Sequence, residues 1–167
     1  MIKIIITGLP GSGKSTVLEK VISDIKNKKG FITREIRNNG LREGFKIVTN
    51  NGKDKILASI HFKTPHKVSK YYVDLNGFEE ILPEFFNFSK NETLYIDEIG
   101  EMELFSKQFE ELIMKYLNSE NTFLATLSKV YSNDLIKSIK ERKDVKIVEI
   151  TADNREEKLK EIKKMIK

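Results

Sequence analysis

A chain of 167 residues with 39% hydrophobic and 33% charged content fits one soluble domain, long enough to bury about 70% of its extended surface. With no cysteine, disulfides, thiolate catalysis and Cys-ligated zinc are excluded, and two histidines, His61 and His66, are too few for a His-rich metal site. The net charge of +5 arises from 30 basic residues scattered among 25 acidic ones, with no aromatic residues interleaved in the basic runs, which argues against nucleic acid as a partner.

Residues 3–6, followed by Thr7, form a β-branched run that predicts a buried parallel strand. Its Ile4-Ile5-Ile6 core is too short for a signal peptide, and no apolar run approaches the ~18 residues of a membrane helix. A cytoplasmic protein with no membrane partner is expected, and a monomer. Val17, Leu18, Val21, Ile22 and Ile25 then repeat at helical spacing, with Gly30 placed to end that helix. Residues 31–37, 45–49 and 55–60 read as strands separated by Asn38-Asn39-Gly40 and Asn50-Asn51-Gly52, the second turn being the firmer signal. They predict a three-stranded antiparallel meander inserted over residues 31–60. Residues 61–75 are loop-like, and a helix near 77–88 follows, its start blurred by Pro83.

Leu94-Tyr95-Ile96 predicts a second buried strand, ending in Asp97-Glu98. Phe109, Leu112, Ile113, Tyr116 and Leu117 mark a helix that Ser106 would cap. Residues 122–127 and 145–150 give two more core strands, with a short helix around Leu135, Ile136 and Ile139 between them. Asp153 with Glu156 opens a final helix as an acidic capping box. Strands alternating with helices predict a single domain over residues 1–167, an α/β three-layer sandwich with a mainly parallel sheet.

The loop after the first strand carries Gly8-Leu9-Pro10-Gly11-Ser12-Gly13-Lys14-Ser15, with Thr16 following, in the order strand, Gly-rich turn, helix. This is the P-loop (Walker A) spacing. Its glycines let successive N–H groups face phosphate oxygens, and the helix aims its positive end at the same place. Lys14 supplies a cation for the β- and γ-phosphates, and the Ser15 hydroxyl is a ligand for Mg²⁺. Asp97, at the end of an apolar strand, stands where the Walker-B acid assists the metal. Glu98 is either the base that polarises the attacking water or an ordinary solvent-facing glutamate. Strand alternation would turn it away from Asp97. A nucleoside triphosphate is therefore the expected ligand and Mg²⁺ the expected cofactor. Hydrolysis leads, and a small-molecule or nucleotide kinase using the same cradle is the alternative. Kinases of that kind bring arginines on a lid, and residues 128–145 hold only Arg142.

Beyond the P-loop, Gly30 to Arg37, Gly44-Phe45-Lys46-Ile47, Ile96-Asp97-Glu98-Ile99-Gly100-Glu101-Met102-Glu103-Leu104-Phe105-Ser106 and Asn154-Arg155 resemble the small THEP-type nucleoside triphosphatases over nearly the whole chain. The resemblance implies a RecA-like core and slow hydrolysis of several nucleoside triphosphates with loose base selectivity. It also implies phosphate and metal binding by Lys14 and Ser15, Mg²⁺ assistance by Asp97 and water activation by Glu98. The chain departs from that pattern at Tyr72 and at Leu127-Ser128-Lys129. Asn154 and Arg155 are either base contacts, by hydrogen bond and by stacking, or the plain first turn of the last helix. Arg34, Arg37 and Arg42 all fall in the meander. Arg37 is the candidate there for a transition-state cation, against the alternative of a surface residue.

Overall fold

The computed structural model describes residues 1–167. Strand β1 (Lys3–Gly8) is buried throughout its length and leads through the P-loop into helix α1 (Lys14–Ser23), which buries Val17, Leu18, Val21 and Ile22. Strands β2 (Lys28–Asn38), β3 (Leu41–Thr49) and β4 (Asp54–Ser59) follow. Next comes a small hairpin, β5 (Lys67–Val68) with β6 (Tyr71–Val73), and then helix α2 (Leu75–Ile81), which runs into a 3-10 turn over Leu82–Phe85. The second half holds β7 (Thr93–Ile99), a 3-10 turn over Glu103–Phe105, α3 (Lys107–Asn118), β8 (Phe123–Ser128), α4 (Asp134–Glu141), β9 (Val145–Glu149) and α5 (Arg155–Met165).

All nine strands join one sheet in the order β5-β6-β4-β3-β2-β7-β8-β1-β9. From β2 to β9 the pairing is parallel, and from β2 to β5 it is antiparallel. The sheet separates two cores, because successive residues of a strand face opposite sides. Ile4 and Ile6 pack with Val17, Leu18, Leu159 and Ile162 of α1 and α5. Ile5 faces the other way, onto a larger core that includes Phe78 of α2, Phe109 of α3 and Ile136 of α4. This is the expected three-layer α/β arrangement. Within the larger core Phe31 meets Phe85 at 5.2 Å and Phe78 at 6.1 Å between ring centres, both edge to face, and truncating such a side chain costs about 3–5 kcal/mol. The end of α3 is fixed from two sides. Tyr116 donates its hydroxyl to the Phe85 carbonyl at 2.9 Å, and the buried Lys3 ammonium donates to the carbonyls of Tyr116 and Ser119 at 3.2 and 2.8 Å.

The main correction concerns β2. It is not confined to the meander: Lys28–Phe31 pair in parallel with β7, and Phe31–Asn38 pair antiparallel with β3, so one strand serves both halves of the sheet. The parallel core therefore has five strands, one more than the apolar runs suggested. Gly30 does not end α1, which stops at Ser23. It lies within β2, where a Cβ would stand 1.9 Å from the Tyr95 carbonyl oxygen. The firmer turn is the first, a two-residue loop with φ of 50° at Asn39 and 78° at Gly40, while the second spans four residues. The loop-like 61–75 segment contains β5 and β6. The helix placed near 77–88 starts earlier, capped by Asp74, whose carboxylate accepts from Gly77 N–H, and tightens to 3-10 geometry at Pro83. Ser106 caps α3 as expected, accepting from Phe109 N–H at 3.1 Å. Asp153 caps nothing: the residue before α5 is Asn154. No helix is long and apolar enough to cross a membrane.

Candidate active site

Between β1 and α1 the chain runs through Gly8, Leu9, Pro10, Gly11, Ser12 and Gly13, and α1 begins with Lys14, Ser15 and Thr16. The Ser12 N–H donates to the Leu9 carbonyl at 3.1 Å, and positive φ angles of 77° at Gly11 and 101° at Gly13 turn the loop. No acidic residue lies in the first turn of α1, so nothing there competes with an anion for the free N–H groups and the helix dipole. The Lys14 ammonium stands 3.5 Å from a Glu98 carboxylate oxygen.

Asp97 is 1% exposed at the end of β7, held from three elements. The Ser15 hydroxyl donates to its Oδ1 at 3.0 Å, the Thr126 hydroxyl of β8 donates to the same oxygen, and the Thr33 hydroxyl of β2 donates to its main-chain carbonyl at 2.5 Å. Its Oδ2 is buried with no hydrogen-bond partner. Burial pushes this carboxyl up to about 6, against the lowering effect of the Thr126 and Ser15 hydrogen bonds. A buried oxygen with a free lone pair beside a serine hydroxyl and an anion cradle is a donor set suited to a hard divalent cation, which prefers oxygen ligands.

Glu98 does not turn away from Asp97 as strict alternation would require. The pairing of β7 with β8 slips between Ile96 and Ile99, so the two-residue period is not kept, and both acids reach the P-loop. The Asp97–Glu98 peptide bond is cis. A third carboxyl, Glu103, is 4% exposed and approaches Glu98 across Gly100: a Cβ on Gly100 would lie 2.8 Å from a Glu98 oxygen and 3.0 Å from a Glu103 oxygen. Burial, then the neighbouring Glu98 charge, raises the Glu103 carboxyl well above its ordinary range. Beside these groups opens a cavity of about 320 Å³, with Ser15, Asp97 and Glu98 at one end and Phe45, Val130 and Tyr131 farther out.

Arg155 lies against Gly13, where a Cβ would meet its Cδ at 2.4 Å, and lines a depression with Gly11, Lys14, Ser15 and Thr16. Thr16, Lys20, Ala152, Asp153 and Arg155 frame a second depression there. The other four arginines are paired with carboxylates, Arg34 with Glu19, Arg37 and Arg42 with Glu35, and Arg142 with Asp144. Asn154 is engaged within its own loop, accepting from Thr151 N–H at 2.8 Å and donating to the Glu149 carbonyl at 3.0 Å.

A family model described as NTPase matches residues 3–163. The chain belongs to this NTPase family. Nucleoside-triphosphatase THEP1 of Thermotoga sp. (strain RQ2) is 42% identical over 167 residues, covering 99% of this chain and 95% of that one. The cancer-related nucleoside-triphosphatase of Homo sapiens is 33% identical over 177 residues, covering 95% and 93%. The crystal structure of THEP1 from Aquifex aeolicus superposes with a TM-score of 0.90 at 35% identity, covering 99% of both chains. Gly8–Thr16, Asp97 and Glu98, quoted from sequence, thus come together in the NTPase fold, with Arg155 beside Gly13 and Lys14 at the P-loop. Arg37 does not join them. It is spent on Glu35 at 2.7 Å and on the Gly40 carbonyl at 2.8 Å, at the tip of the meander. Sequence reasoning missed Thr126, Thr33 and the closeness of Glu103 to Glu98. Thr126 had a signal: it is the polar residue inside the apolar run Phe123–Leu127, fully buried, and a buried hydroxyl needs a partner.

Proposed function

We propose that this chain is a Mg²⁺-dependent nucleoside-triphosphate phosphohydrolase in which Glu98 is the catalytic base. As a member of the NTPase family it hydrolyses nucleoside triphosphates to the diphosphate and phosphate. The observation that carries the assignment of roles is the 3.5 Å approach of Lys14 to Glu98 across the end of the P-loop. An ammonium that binds the γ-phosphate and a carboxylate beside it bracket the point where water must attack the phosphorus in line.

The P-loop amides from Gly8 to Thr16 hold the phosphate chain. Lys14 offsets the charge of the β- and γ-oxygens. Ser15 and Asp97 would hold Mg²⁺, the unpartnered Asp97 Oδ2 supporting that role, and the ion supplies further neutralisation of phosphate charge when bound. Glu98 takes a proton from the attacking water at its carboxylate oxygen. Thr126 and Thr33 position Asp97. Arg155, free of any carboxylate, packs on Gly13 of the P-loop beside a depression able to receive a base. Stacking on a guanidinium does not read base edges, which supports loose selectivity among bases. Asn154 shapes the loop that presents Arg155.

Glu98→Gln tests the reading. It keeps the size of the side chain and removes the basic oxygen, so single-turnover phosphate release should fall about 10²–10⁴-fold. Binding of a non-hydrolysable analogue should hold or tighten, because a carboxylate near the triphosphate repels it and an amide does not. An unchanged single-turnover rate would remove Glu98 from the mechanism.

A further inference from the structure

Hydrolysis needs room for one water at the γ-phosphate, whose share of liquid volume is about 30 Å³. The cavity that begins at Ser15, Asp97 and Glu98 is about 320 Å³, within the range of pockets that hold organic ligands. Hydrated metal accounts for the polar end. It does not account for the far wall, where Phe45 of β3 and Val130 and Tyr131 beyond β8 present apolar and aromatic surface. Organic molecules are recognised by that combination: an apolar wall for the body and a few polar groups for orientation.

The charges of the lining narrow the class. No Lys, Arg or His is among its 14 residues, and five are acids. A phosphorylated acceptor such as a nucleoside monophosphate would face carboxylates with no cation to receive its phosphate. Of the acids, Glu35 is held by Arg37 and Arg42, Glu98 by Lys14, and Asp97 by the Ser15 and Thr126 hydroxyls. Glu103 is buried at the back with its carboxyl raised towards the neutral form. That leaves Glu101, exposed at the rim and free of any ion pair, as the carboxylate open to a ligand cation.

We propose that this cavity is an acceptor pocket for a small amino alcohol, its ammonium at Glu101 and its hydroxyl at Glu98, so that the γ-phosphoryl group passes to it in competition with water. The inference rests on the placement of the γ-phosphate between Lys14 and Glu98 argued above. The hydroxyl oxygen bonds to the γ-phosphorus, the bond from that phosphorus to the β–γ bridging oxygen breaks, and the hydroxyl proton goes to Glu98. The products are a phosphate monoester and the nucleoside diphosphate.

Ethanolamine and glycolate, alike in size and opposite in charge, test the pocket as equimolar competitors to water in ATP turnover, with products separated by ³¹P NMR. Phosphoethanolamine should exceed phosphoglycolate by about tenfold or more, the cost of placing like charges together at a partly exposed site. Glu101→Lys, a change at an exposed residue, should reverse the preference. Inorganic phosphate as the sole product with either alcohol, or equal yields of the two esters, overturns the acceptor pocket while leaving the hydrolase intact. Loss of all phosphate products in Lys14→Ala is expected. Their persistence there would sink the γ-phosphate placement and the pocket with it.

Discussion

Arg155 packs directly on Gly13: the space a side chain would need at Gly13 is filled by the Arg155 methylene next to its guanidinium. The first residue of α5 is thus seated on the last glycine of the P-loop, and the base side and phosphate side of the site share one contact. The φ of 101° at Gly13 adds a second reason for glycine, since other residues held in the left-handed region cost about 1–3 kcal/mol. Gly13→Ala should therefore displace Arg155 as well as strain the cradle. Calorimetric titration with a non-hydrolysable ATP analogue should show at least about tenfold weaker binding, roughly one such strain term. An unaltered Kd would mean that the loop absorbs the methyl and that Arg155 is a bystander.

Arg155→Ala isolates the other half of that contact. It leaves the cradle glycine untouched and removes the stacking surface, so KM should rise by similar factors for ATP, GTP, CTP and UTP. Steady-state assays with the four triphosphates decide the matter. A large loss confined to one base would mean edge recognition by some other group.

Asp97→Asn should trade function for stability. The amide retains an oxygen to accept from Ser15 and Thr126, and it relieves the cost of a carboxylate that is 1% exposed. In the absence of Mg²⁺ the variant should melt at a higher temperature than the parent. The Mg²⁺ concentration for half-maximal turnover should rise about 10–100-fold. A variant that melts lower and needs no more Mg²⁺ would show that Asp97 serves packing alone.

Glu103 gives a pH prediction with a definite sign. Its folded carboxyl is raised above 4.5 by burial and by the nearby Glu98 and Asp97 charges, so the folded chain keeps a proton that the unfolded chain has released. Its contribution to stability is complete below the unfolded value and is lost as pH rises towards the folded one. Glu103→Gln removes this dependence. The difference in unfolding free energy between variant and parent should shift in favour of the variant as pH rises above the ordinary glutamate range, as read by urea titration. A difference independent of pH would mean that Glu103 is ionised in the folded chain.

The parts of the site that were legible in the sequence are those built from contiguous residues. Gly8–Thr16 sits between a buried apolar strand and a helix of regular spacing, and Asp97-Glu98 ends another such strand, so local pattern was enough. Lys28 and Lys29 hid the start of β2, because two lysines before a glycine read as the end of a helix. Two- and three-residue strands such as β5 and β6 show no periodicity to detect. The direction of Glu98 depended on a register slip between β7 and β8, a property of the pair of strands and of neither one alone. The cavity was invisible for a related reason: Phe45, Met102 and Tyr131 are far apart in the chain and line one space only once the sheet is built.

The double pairing of β2 bears on how this molecule could change its repertoire. Four residues of β2 are laced to the strand that bears Asp97, and the stretch that follows, paired with β3, carries Thr33 and Glu35 to the cavity. The wall of the cavity is therefore continuous with the floor of the phosphate site, with no hinge between them. A swinging lid on that side would have to tear the sheet. New substrates would have to be accommodated by exchanging side chains at positions such as Phe45 and Tyr131 on a rigid frame. That makes the pocket a mould recast by point mutation, where many phosphotransferases instead retune a moving flap.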